Sequence, residues 1–141
     1  MKISVSDLIF QLFLRGVVLA TMIHEYGHLL ALRLMGIDGE IRATMLNAVY
    51  PGRALVGYER LVFYGSGGMV QALVFLILAT KNRDVENRLI NIMIAIEGFI
   101  YAFFEALAPR TFWSFGSSFG ALIAALFIGG IIIWKKSEII I

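Results

Sequence analysis

Two histidines stand four residues apart, with a glutamate beside the first, in "MIHEYGHLL". On an α-helix, positions i and i+4 share a face one turn apart, so His24 and His28 can grip one cation together. Imidazole nitrogens bind zinc at about 2.0–2.1 Å, and zinc in hydrolases keeps one coordination position open for water or substrate. Glu25, one residue on, stands beside that open position. There it can take a proton from the attacking water and pass it to a leaving amine. Residue types and spacing therefore point to metal-assisted peptide hydrolysis. The bland alternative is a pair of packing histidines, with Glu25 paired to a cation such as Arg15. Against it, the chain has only 2 histidines, and both lie in this motif. Holding ionisable groups inside an apolar helix costs about 2.5–3.5 kcal/mol for a carboxylate at mid-membrane.

A zinc hydrolase usually has three protein ligands. No histidine remains, so the third is expected to be a carboxylate. Glu97, in the middle of a later apolar run, is the first choice. Glu105, eight residues on, is the second: about 80° around the helix and about 12 Å further along it. Asp38 and Glu59 read as solvated loop carboxylates. Gln71 and Asn91 are candidates for polarising a scissile carbonyl, with helix bridging as an equal alternative.

These residues lie in a very apolar chain. Of its 141 residues 60% are hydrophobic, and the mean hydropathy is +0.85. That composition predicts an integral membrane protein forming one domain over residues 1–141, in contact with the lipid bilayer. The net charge of +2 with scattered basic residues excludes a nucleic-acid surface, and 0 cysteines exclude thiolate sites and disulfides. Residues 1–23 resemble a signal peptide, but Arg15 interrupts the run and no small-x-small site follows, so cleavage is not expected.

Four segments are long enough to span a bilayer: about 7–35, 61–79, 89–108 and 111–134. Asp7 can cap the first and Gly36 end it. Pro109 stops the third, and Trp113 and Trp134 mark the ends of the fourth. The expected fold is thus all-α and polytopic, with about four transmembrane helices. Between the first two, residues 39–60 alternate weakly around the turn signal "YPGR" and predict a β-hairpin at the membrane interface. Lys2, Lys81, Arg83, Arg88, Lys135 and Lys136 fall on one side. Arg42, Arg53, Arg60 and Arg110 fall on the other, which predicts both termini inside.

"HEYGHLLALRLMGI" resembles the H-E-x-G-H segment of the site-2 proteases, the intramembrane zinc metalloproteases. In that family a membrane-associated hairpin precedes a helix with small residues and an amide. Here "GSGGMVQALVFLILA" is similar, with Gly67, Gly68 and Gln71. A third family segment supplies the last zinc ligand, and "NIMIAIEG" offers Asn91 and then Glu97-Gly98. Glutamate stands for the family's aspartate, and Ile94 stands where its proline would be. The resemblance implies zinc held by His24, His28 and Glu97, Glu25 as general base, and a membrane-embedded protein substrate. The competing reading is a non-proteolytic small subunit of a larger membrane complex that keeps this fold, with or without zinc.

Overall fold

In the computed structural model the described residues are 5–42 and 48–107. Their order is α1 (Val5–Leu12), a wide π turn (Phe13–Leu19), α2 (Ala20–Leu34), β1 (Gly39–Arg42), β2 (Ala48–Pro51), α3 (Tyr58–Lys81) and α4 (Val85–Leu107). Three helical regions are therefore found where four were expected; the fourth segment, 111–134, lies outside the described residues. Two helices, α3 and α4, are each long and apolar enough to cross a membrane.

The first region is helical where expected, but it is divided. The Ala20 N–H reaches back five residues to the Arg15 carbonyl, which widens the turn and rotates α2 relative to α1. Its end follows from Gly36, whose φ of 68° is open to glycine at little cost. That turn lets the Ile37 N–H bond the Leu32 carbonyl at 2.9 Å and the Gly36 N–H bond Arg33 at 3.1 Å. Ile37 and Leu32, the apolar pair that accompanies such a cap, are both buried.

α3 begins before and ends beyond the expected 61–79, and α4 begins before the expected 89–108 and is described to Leu107. Bilayer length limits only the apolar part of a helix, and polar caps extend both. Asp84 precedes α4 and its Oδ2 accepts the Asn87 N–H at 3.2 Å, the bond of an N-cap to the third helical residue. That N–H holds the Asp84 carboxyl below its ordinary range. At the start of α3, Glu59 accepts Arg53 Nη1 at 2.8 Å and Nη2 at 2.7 Å, and the Val56 N–H at 3.1 Å. Glu59 is thus a buried, paired group rather than the solvated loop carboxylate expected. Hydrogen bonding to Glu59 holds the Arg53 guanidinium above its usual range.

The hairpin is found, but shorter than 39–60 and in a different register. β1 and β2 pair antiparallel with Gly39 opposite Pro51 and Arg42 opposite Ala48. The paired strands are Gly39–Arg42 and Ala48–Pro51, so "YPGR" closes the second strand instead of turning the chain. Pro51 has no N–H to continue a ladder, and the Gly52 N–H leaves to bond the Asp38 carbonyl at 2.7 Å. On the outer face Arg42 pairs with Glu40 and lies 4.8 Å from the Tyr50 ring centroid.

Helix packing rests on glycine. A Cβ on Gly68 would strike the Gly98 carbonyl and the Ala102 N–H, and one on Gly98 would lie 2.7 Å from the Ala72 nitrogen. α3 and α4 thus meet backbone to backbone, as small-residue interfaces between apolar helices do. One core cluster joins Ala20, Phe75, Ile90, Ile94 and Ala95. A second joins Leu32, Ile37, Val49 and Phe63, and so fastens the hairpin to α2 and α3. The outward faces are apolar as well: Met22, Tyr26, Leu30 and Leu34 form an exposed stripe on α2, and Phe99, Phe103 and Leu107 one on α4. Such stripes suit lipid contact.

Candidate metal centre

The two histidines face inward at the crossing of α2 with α3. Gly27, between them, makes that crossing possible: a Cβ there would lie 2.7 Å from the Ser66 carbonyl and 2.9 Å from the Gly67 Cα. With α2 drawn in this close, the His28 Nδ1–H donates to the Phe63 carbonyl at 2.7 Å. A carbonyl can only accept, so this bond places the proton on Nδ1 and points the Nε2 lone pair away from Phe63. The Phe63 ring itself stacks on His28 at 4.7 Å, tilted by 33°. Tyr101 meets the edge of His24 at 5.2 Å.

Three ligand-type atoms then converge. His24 Nε2 and His28 Nε2 are 3.1 Å apart. Glu105 Oε2 is 3.1 Å from His24 Nε2 and 3.7 Å from His28 Nε2. All three residues are buried, and Glu105 Oε2 makes no hydrogen bond. Two nitrogens bound to one tetrahedral zinc lie about 3.3–3.4 Å apart, given bonds of about 2.0–2.1 Å. The observed edges of the triangle are close to that spacing. An orphaned buried carboxylate oxygen against two imidazole nitrogens is costly by itself and is relieved by a cation among them. The residues present therefore fit a divalent metal. His24, Glu25 and His28 also form a group that could hold one, their ligand atoms within 4.8 Å of one another.

Glu25 stands at the edge of this group, only partly buried. Its Oε2 accepts the Val49 N–H of β2 at 3.1 Å. The hairpin thus steadies the carboxylate expected to act as a base. This contact has no local sequence signal, because it comes from backbone 24 residues away. The Phe63 carbonyl was invisible to sequence reasoning for the same reason.

The expected third ligand, Glu97, is buried but turned to other partners: Gln71 Nε2 donates to its Oε2 at 3.5 Å and to the Ile94 carbonyl at 3.4 Å. The carboxylate that meets the imidazoles is Glu105, the second choice. Gln71 is buried beside Glu97. Its N–H groups are engaged with α4 rather than aimed at a reacting carbonyl. Asn91 is not brought to the site. It lies 14 residues before Glu105, about 21 Å along α4 at 1.5 Å per residue, and accepts Arg15 Nη1 at 3.5 Å.

Gly67 lies directly against the two ring nitrogens. A Cβ there would stand 2.5 Å from His28 Nε2 and 2.7 Å from His24 Nε2. Gly67→Ala is therefore expected to cut zinc binding sharply, because its methyl competes for the space between the two nitrogens. Zinc content after equilibrium dialysis measures this. Wild-type content in a folded Gly67→Ala protein would show that the ring nitrogens move aside without loss. Comparison of the chain with protein-family models, with characterised proteins and with solved structures finds no match, so the reading of this site rests on its own geometry.

Proposed function

We propose that this protein is an intramembrane zinc metallopeptidase that hydrolyses peptide bonds of membrane-embedded protein substrates. The observation that carries the reading is the convergence of His24 Nε2, His28 Nε2 and the unbonded Glu105 Oε2 beside Glu25. His24, His28 and Glu105 would hold the ion. Zinc bound there supplies Lewis-acid polarisation of the attacking water and the scissile carbonyl. Glu25 takes the proton of the attacking water and delivers it to the leaving amine. The His28 bond to the Phe63 carbonyl fixes the tautomer that presents Nε2. Two helices able to cross a membrane, with apolar outward stripes, support placing the chemistry in the bilayer.

The test is direct. Protein purified in mild detergent is expected to carry about one zinc per chain, as three protein ligands imply, and to cleave a transmembrane substrate. A chelator should stop cleavage, and added zinc should restore it. Protein that binds no zinc on titration would overturn the reading. One observation favours a second reading, a non-proteolytic subunit of a larger membrane complex: the Glu25 carboxylate already has a strand N–H as partner. Stable zinc binding without cleavage, together with a co-purifying partner chain, would select it.

A further inference from the structure

Arg15 is the only arginine or lysine from Val5 to Leu32, and the proposed mechanism leaves it unused. It stands in the π turn before α2, where its carbonyl accepts the Ala20 N–H. Its guanidinium crosses to α4, and Nη1 donates to Asn91 Oδ1 at 3.5 Å. Among the described residues that is the guanidinium's one hydrogen bond, and it has no ion pair there. A guanidinium carries five N–H donors, so the edge formed by Nε and Nη2 is left for another acceptor. An arginine inside an apolar run is costly, and its partner is the first thing to seek. Asn91 is 1% exposed and sits between Ile90 and Ile94 of the core, so it fixes one side of the cation. The other side is open and apolar: Phe13, Leu14, Val17 and Val18 are all exposed. The turn between α3 and α4 carries Lys81, Arg83 and Arg88 against Asp84 and Glu86, so this end of the bundle is positive. Asn91 follows Arg88 by three residues, about 4.5 Å along the helix. The guanidinium therefore lies at the edge of the apolar run.

We infer that Arg15, steadied by Asn91, binds the phosphate of an anionic phospholipid whose acyl chains lie along Phe13, Leu14, Val17 and Val18. The inference rests on the membrane placement proposed above but not on zinc: Asn91 is about 21 Å along α4 from Glu105. Three features select this ligand. The planar fork of arginine matches two phosphate oxygens, so the free edge suits a phosphodiester. The open apolar flank suits acyl chains, which a soluble phosphate lacks. The cation has no carboxylate to neutralise it, so a headgroup with net negative charge fits better than a zwitterion that brings its own cation. Basic pockets between membrane helices bind anionic headgroups in this way.

The test is native mass spectrometry of the detergent-solubilised chain, titrated with phosphatidylglycerol and, separately, with phosphatidylcholine of the same acyl chains. The first bound lipid is expected to be phosphatidylglycerol, preferred about fivefold, the factor that corresponds to the 1 kcal/mol one cation contributes beside anionic lipid. Arg15→Gln removes the charge and should abolish the preference. Asn91→Asp sets a carboxylate of nearly the same shape against the guanidinium. It supplies the anion from within the chain and should abolish the preference too. This second variant also serves should Arg15→Gln fail to fold. Lys81→Gln, on the exposed turn, should keep the preference. A preference that survives in a folded form of either the Arg15 or the Asn91 variant would overturn the site. Inorganic phosphate that displaces phosphatidylglycerol mole for mole would make this an anion site fed from water and overturn the lipid assignment. A wild-type chain that binds neither lipid would remove the membrane placement together with the site, whatever its zinc content.

Discussion

Glu25→Gln is expected to lower peptide cleavage about 10²–10⁴-fold, the range that a positioned general acid–base contributes, while zinc content stays at the wild-type level. The two halves of that result come from different atoms. The amide of glutamine cannot take a proton from the attacking water at neutral pH, so the proton-transfer step is lost. Its oxygen can still accept the Val49 N–H that now reaches Glu25 Oε2, so the hairpin keeps its anchor on α2. The ligand triangle of His24, His28 and Glu105 is left intact. Initial cleavage rates on a transmembrane substrate, paired with elemental analysis of the same preparation, measure both. Unimpaired cleavage in this variant would remove Glu25 from the mechanism. Lost zinc would instead mean that Glu25 is part of the coordination shell.

How far the site can be read from sequence depends on what fixes each group. His24, Glu25 and His28 are placed by one helix alone, so their spacing in the chain is already a spacing in space. Gly27 adds something the pattern does not state: α2 must come within a Cβ radius of α3 before His28 can reach the Phe63 carbonyl. The choice between Glu97 and Glu105 was not legible, because it depends on how far α4 slides along α3. The contact of Gly68 with Gly98 and Ala102 sets that slide. With Gly98 tied to α3, Glu97 falls beside Gln71, and Glu105, two turns on, falls at the imidazoles. Asn91 lies away from the imidazoles for a related reason: its place in a polar motif says nothing of its height on the helix. The hairpin register was misjudged because proline and glycine mark chain reversals and strand ends alike. In the fold, apolar length located α3 and α4 but not their polar first turns, which Asp84 and Glu59 secure through side-chain bonds.

The sharpest discrimination falls on Glu105. Its Oε2 is buried, lies 3.1 Å from His24 Nε2 and makes no hydrogen bond. An unsatisfied buried polar group costs about 1–3 kcal/mol, and more when it is charged. A residue kept for packing would not retain that cost, so the oxygen is suited to a ligand. Two opposite effects of Glu105→Gln follow. Zinc affinity is expected to fall by more than the about 10–100-fold typical of changes outside the ligand set, because an anionic donor becomes a neutral one. In metal-free protein the same change is expected to leave thermal stability unchanged or to raise it, since a buried carboxylate whose Oε2 makes no hydrogen bond is replaced by a neutral amide of nearly the same shape. Chelator competition gives the first quantity, and thermal unfolding in detergent after metal removal gives the second. A destabilised apo protein with unaltered zinc affinity would make Glu105 a structural partner of His24 and return the third ligand to Glu97. The predicted pair, weaker zinc and an apo form at least as stable, is the signature of a residue whose burial serves the metal rather than the fold.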